Sequence, residues 1–155
     1  MDRLIDFIVD TDHVRLRAAL PDIERSYVEA MRTQGGRNPA LAAAVTTLQR
    51  VARELERHFA KEEQVLFPYL RQLAAAADAR ERAVCPFGTV ENPVRLMERE
   101  HLEALDGLRQ FRELIGHYPS DLQDFERELR RHFRLEDEVL FPRAIGLEAQ
   151  SGLFG

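Results

Sequence analysis

The chain has 155 residues, 45% of them hydrophobic and 32% charged, with a formal net charge of −5. That length and balance give one domain, 1–155, able to bury a core without staples, and Arg and Glu are interleaved, with no basic patch for nucleic acid. Cys85 is the single cysteine, so no intrachain disulfide forms, and no apolar run approaches the length of a membrane span.

Apolar residues recur at helical spacing along almost the whole chain, and β-branched clusters at period two are absent. Breaks at 32–39, 78–93 and 116–120 leave four helical segments, near 3–33, 39–77, 93–115 and 120–146. Two short connections and one longer one predict an all-α, antiparallel up-and-down four-helix bundle. Pro21 is expected to kink or interrupt the first segment, and Pro68 and Pro142 do the same at matching places in the second and fourth. Asn38-Pro39 and Asn92-Pro93 read as helix starts, and Ser120 with Asp121 can cap the fourth helix.

Each segment has an inward stripe at three-four spacing. The first carries Val9, His13, Leu16, Leu20, Ile23 and Tyr27. The second carries Leu48, Val51, Leu55, His58, Glu62, Val65 and Tyr69. Val94, Met97, His101, Ala104, Leu108, Phe111 and Ile115 line the third. Leu122, Phe125, Leu129, His132, Glu136 and Val139 line the fourth. One histidine per helix therefore falls in the core, together with two glutamates, each four residues after its histidine.

The second and fourth segments share a written pattern. "HFAKEEQVLFP" from His58 and "HFRLEDEVLFP" from His132 both read H-F-x-x-E-[ED]-x-V-L-F-P. The two halves differ in one spacing: His13 and His58 lie 45 residues apart, His101 and His132 only 31. Taking about two turns from each helix beside the connection preserves the inward phase and shortens the second hairpin by roughly 10 Å.

A buried carboxylate needs a positive partner, and no Lys or Arg sits at a neighbouring stripe position. Burial favours neutral imidazole, and neutral imidazoles with carboxylates make a metal site. Each H-x-x-x-E aims a nitrogen and an oxygen from one helix face at one place. Four histidines and two bridging glutamates suffice for two ions, with a bridging oxide or hydroxide and about one open position each. The mixed ligation suits iron, with manganese or zinc as alternatives; a single zinc would use only part of the set. His117 falls off the stripe, where it complements the third helix's C-terminal dipole. Cys85 sits in a loop, and the Phe and Leu of "VLFP" read as core.

"DTDHVRLRAALP", "HFAKEEQVLFP", "GTVENPVRLMEREH" and "HFRLEDEVLFPRA" cover nearly the whole chain. In this order they resemble the hemerythrin-like di-iron proteins, and more nearly their iron-sulfur cluster repair (repair-of-iron-centres) branch. The resemblance implies iron ligation by His13, His58, His101 and His132, with Glu62 and Glu136 as bridging carboxylates. Oxygen carriers of the family use H-x-x-x-H on the third helix, where Leu105 stands here. They also use H-x-x-x-x-D on the fourth, which Asp137 satisfies, but the internal repeat matches Glu136 to Glu62 and Asp137 to Glu63. Repair proteins usually carry a small cysteine-containing domain ahead of the bundle. Only 12 residues precede His13, none of them cysteine, and that domain is expected to be lacking.

The resulting expectation is a cytoplasmic non-haem di-iron protein of nitrosative or oxidative stress. It would donate iron to iron-sulfur proteins, or carry out NO- or O2-species reduction at the open positions. The alternative is an O2- or NO-binding sensor or carrier without turnover. Glu54, one turn before His58, and Glu100, beside His101, are candidate acids behind the ligands or on the access path; a solvated helix face is their plainer reading.

Overall fold

The computed structural model describes residues 1–34 and 38–151. Four long helices form an antiparallel bundle. Helix α1 comprises Asp2–Phe7, a π-helical turn Ile8–His13, and Val14–Gln34. Helix α2 comprises Pro39–Lys61, a π-helical turn Glu62–Leu66, and Phe67–Ala79. Helix α3 is Glu91–Ile115. Helix α4 comprises Ser120–Leu135, a π-helical turn Glu136–Leu140, and Phe141–Ser151. Among the described residues, no helix is long and apolar enough to cross a membrane.

The helix ends follow local chemistry. The Asn38 side chain accepts from the Leu41 N–H at 3.3 Å, as an N-cap should. Residues 35–37 of the break before it lie outside the described residues. Gly116, at φ 73°, ends α3 in the left-handed region. His117 lies exposed just beyond, its Nδ1 3.0 Å from the Ile115 carbonyl. The caps at the starts of α3 and α4 differ from those read in the sequence. Helix α3 begins at Glu91, and Asn92 donates to the Phe87 carbonyl instead of capping. The Glu148 carboxylate takes the Val90 N–H at 2.9 and 3.0 Å and the Thr89 hydroxyl at 2.7 Å. That tether explains why α4 extends to Ser151, beyond the expected end near 146. Neither Ser120 nor Asp121 makes an N-cap bond; Asp121 only meets the next amide, that of Leu122, at 2.8 Å.

Pro21 does not interrupt α1, because Val14–Gln34 is continuous around it. Pro68 and Pro142 each follow a π-helical turn. Proline has no N–H, and its ring crowds the carbonyl four residues back. The turn before it widens, so the Phe67 and Phe141 N–H groups reach the Glu62 and Glu136 carbonyls five residues away.

That widening shifts the inward stripe. Val65 and Val139 are 50% and 47% exposed, whereas Leu66 and Leu140 are buried. In α1, Ile8 is buried in place of Val9. Two apolar clusters result, one on each side of a polar layer. Leu16, Leu48, Leu55, Leu108, Phe111 and Leu129 belong to the cluster beside the hairpin connections. Ile8, Leu66, Leu70, Val94, Met97 and Leu140 belong to the other, where Phe67–Ala79 packs on Phe141–Ser151. The first hairpin extends about two turns farther from its histidines than the second, as the spacing predicts.

Candidate metal centre

The polar layer holds His13, His58, His101, His132, Glu62 and Glu136, none more than 2% exposed. Glu62 Oε2 lies 3.2 Å from His13 Nε2, and its Oε1 lies 3.3 Å from His58 Nε2. Glu136 Oε2 lies 3.2 Å from His101 Nε2 and 3.6 Å from His132 Nε2. Two sets of four converge: His13, Glu62, His132 and Glu136, then His58, Glu62, His101 and Glu136. Each set has its ligand atoms within 4.8 Å of one another. All six expected residues are brought together, and the two glutamates belong to both sets. Helix order decides which histidines share a set: α1 with α4, and α2 with α3.

The repeat's other residues also have places. Phe59 and Phe133, which follow His58 and His132, stack on His13 and His101 at 4.4 and 3.9 Å between ring centroids. Phe67 and Phe141 face the same two imidazoles at 6.0 and 6.1 Å. Each copy of the pattern therefore walls in the histidine of the preceding helix.

Each Nδ1 faces a carboxylate from a neighbouring helix. Glu63 lies 2.7 Å from His13, Glu100 3.0 Å from His58, and Asp137 2.9 Å from His101. Asp12 lies 3.7 Å from His132, beyond hydrogen-bond range. These contacts close a ring through the bundle, from α1 to α4, α3, α2 and back to α1. A carboxylate accepting the Nδ1 proton leaves Nε2 with a free lone pair. His58 and His101 then turn two such nitrogens toward each other at 3.1 Å, an arrangement that requires a proton or a cation.

Glu100 thus touches a candidate ligand, while Glu54 does not: it pairs with Arg50 at 3.0 Å. Asp137 turns its oxygen to Nδ1, and Glu136 is the carboxylate that meets the Nε2 atoms. Asp12 and Glu63 escaped the sequence reading. Their signals were present: Asp12 precedes His13 as Glu100 precedes His101, and Glu63 is the repeat partner of Asp137.

The layer fits a cation. Both oxygens of Glu62 and of Glu136, with Nε2 of His13 and of His132, have no hydrogen-bond partner among the described residues. Such atoms are costly to leave unpaired in a core. The protonation pattern agrees. Burial pushes Glu136 well above the usual carboxylate range, and the charge of Glu62 pushes it the same way. Burial would also raise Glu62, but the His58 charge and the contacts with His13 and His58 hold it well below that range. Burial would lower His58; the Glu62 charge and the Glu100 and Glu62 contacts instead raise it to about 9. In the metal-free layer these carboxylates outweigh the burial that alone would favour the neutral His58 ring, while burial does lower His132. Metal ions binding there would displace protons from these groups.

Residues 4–144 match the Hemerythrin HHE cation binding domain family. The chain belongs to that family. This HHE domain is also similar to curated bacterial proteins. One is the "Probable iron-sulfur cluster repair protein" of Haemophilus influenzae, 27% identical over 92% of the chain. Two others are each named "Iron-sulfur cluster repair protein YtfE". The one from Edwardsiella ictaluri is 28% identical and that from Yersinia pseudotuberculosis 26%, each over 94% of the chain. The chain spans 64% of the first relative's length and 66% of the other two.

Proposed function

We propose that this HHE domain is a cytoplasmic non-haem di-iron protein that acts in nitrosative or oxidative stress. Two four-atom sets sharing Glu62 and Glu136 carry the reading, because two ions would then lie side by side. His13 and His132 would hold one ion, His58 and His101 the other, with both glutamates and an oxide or hydroxide as bridges. An iron pair with open positions supplies one-electron chemistry and affinity for small diatomic molecules. The chain's residues do the rest. Carboxylates at Nδ1 of His13, His58 and His101 hold a proton away from the metal-facing nitrogen, and Phe59, Phe67, Phe133 and Phe141 exclude water from His13 and His101. The relatives are named for iron-sulfur cluster repair; in that setting the domain would donate iron to iron-sulfur proteins, with NO and O2 species as small ligands of the open positions.

Anaerobic reconstitution with ferrous iron tests this. The expected result is about two irons per chain, followed by iron transfer to an apo iron-sulfur protein or product formation with NO or O2. One tightly held zinc with no iron uptake would remove the di-iron reading. Reversible NO or O2 binding with neither product nor iron release would assign a sensor or carrier instead.

A further inference from the structure

The two four-atom sets differ in what stands behind them. Behind the α1–α4 set, both outer carboxylates are held by arginines. Arg17 meets Glu63 at 2.6 Å and also Glu56 at 2.9 Å. Its guanidinium lies over Phe59, 5.4 Å from the ring centroid, and Phe59 in turn stacks on His13. Arg131 meets Asp12 at 2.5 Å, and the Asp12 side chain is fully buried. Behind the α2–α3 set, Glu100 pairs with Lys61, a single flexible ammonium that is 44% exposed. Asp137 is 36% exposed, and among the described residues no Arg or Lys lies within 4.0 Å of it. A surface cavity of about 120 Å³ is bounded by His58, Glu100, Lys61 and Glu54.

We propose that the two metal positions are inequivalent: the ion between His58 and His101 exchanges with solvent, and the ion between His13 and His132 is resident. This rests on the di-iron reading above. An incoming or departing cation meets two guanidinium groups on the α1–α4 side, which repel it. On the α2–α3 side it meets the open oxygen of Asp137 and a carboxylate released by swinging one lysine. The rigid Arg17 fork also fixes two neighbours of His13 at once, whereas among the described residues no Arg or Lys does so for His101 from outside. The domain would thus retain one ion while giving up or taking on the other.

The test is anaerobic chelator challenge of the fully iron-loaded protein, following iron release by absorbance. Two phases of equal amplitude are expected. Arg131→Gln should speed the slow phase by about tenfold and leave the fast phase unchanged. Lys61→Gln should change only the fast phase. His101→Ala should retain a single, slowly released iron, and His132→Ala should lose the slow phase; circular dichroism confirms that each variant is folded. A single release phase, or the opposite assignment of the phases to the variants, would overturn the proposal. Loading of fewer than about two irons in the unaltered chain would instead defeat the di-iron reading beneath it.

Discussion

The cluster beside the hairpin connections and the cluster beyond the polar layer are built by the same four helices, three of which change helical phase between them. On the first side, α1, α2 and α4 run as unbroken α-helix away from their histidines, and their buried residues keep three-four spacing. The second cluster is entered through a π-helical turn in each of these three helices. There Ile8, Leu66 and Leu140 take the inward places that spacing assigns to Val9, Val65 and Val139. The turns begin or end on the candidate ligands His13, Glu62 and Glu136. The phase change thus coincides with the polar layer: one extra residue per turn is spent where a side chain must be aimed.

Alanine substitutions on either side of that step should give the largest separation. Leu66→Ala and Leu140→Ala are expected to destabilise by about 2–5 kcal/mol, while Val65→Ala and Val139→Ala stay within about 0.5 kcal/mol. Urea unfolding of the four variants checks this; equal losses at Val65 and Leu66 would break the phase argument. Beside the hairpin-side cluster, a Cβ added at Gly107 would lie 2.4 Å from Val51 Cγ2. Gly107→Ala should therefore cost about 1–3 kcal/mol, read from the same unfolding curves.

Within the layer, burial and the charge of Glu62 raise the Glu136 carboxyl in the metal-free fold, so above its unfolded value the ionised group weakens the metal-free protein. Glu136→Gln should raise metal-free stability by roughly 1 kcal/mol while abolishing loading of the second iron. Metal analysis beside a thermal melt reads both. For bridge identity, Glu62→Ala and Glu136→Ala should each lose the bridged pair and Asp137→Ala largely keep it. Mössbauer or EPR spectra showing the reverse would move the bridge to Asp137.

The smallest effect belongs to the far cluster's tether. Burial would raise the Glu148 pKa, but Thr89 and the Val90 N–H hold it below the ordinary value of 4.5. A lowered acid stabilises above its unfolded value, and that stabilisation fades as pH falls through the folded one. Glu148→Gln should lower the melting temperature by a few degrees, roughly, at pH 7. The gap should close as pH falls through the lowered folded value; a gap that persists in acid would assign the tether to packing alone.

Much of the fold and site was legible because helical spacing is a local code. His58 and Glu62 share a face through four residues of backbone, and the repeat at His132 and Glu136 says the same again. The carboxylates behind the imidazoles were less legible. Glu63 serves His13 and Asp12 serves His132 across helix boundaries, and no local period records such a pairing. Glu54 was misleading for the same reason: it lies one turn from His58 in the chain but turns to Arg50.

By itself, the sequence determined the helices, the length difference between the hairpins and the six inward-facing polar side chains, since each follows from periodicity along one segment. Tertiary structure alone decided which histidines share a set, which carboxylate stands behind each, and that, among the described residues, arginines back the α1–α4 pair and not the other. Those relations depend on the order of helices around the bundle and on the widened turns. A widened turn adds one residue to a helix without changing its composition, so the side chains it re-aims become visible only in three dimensions.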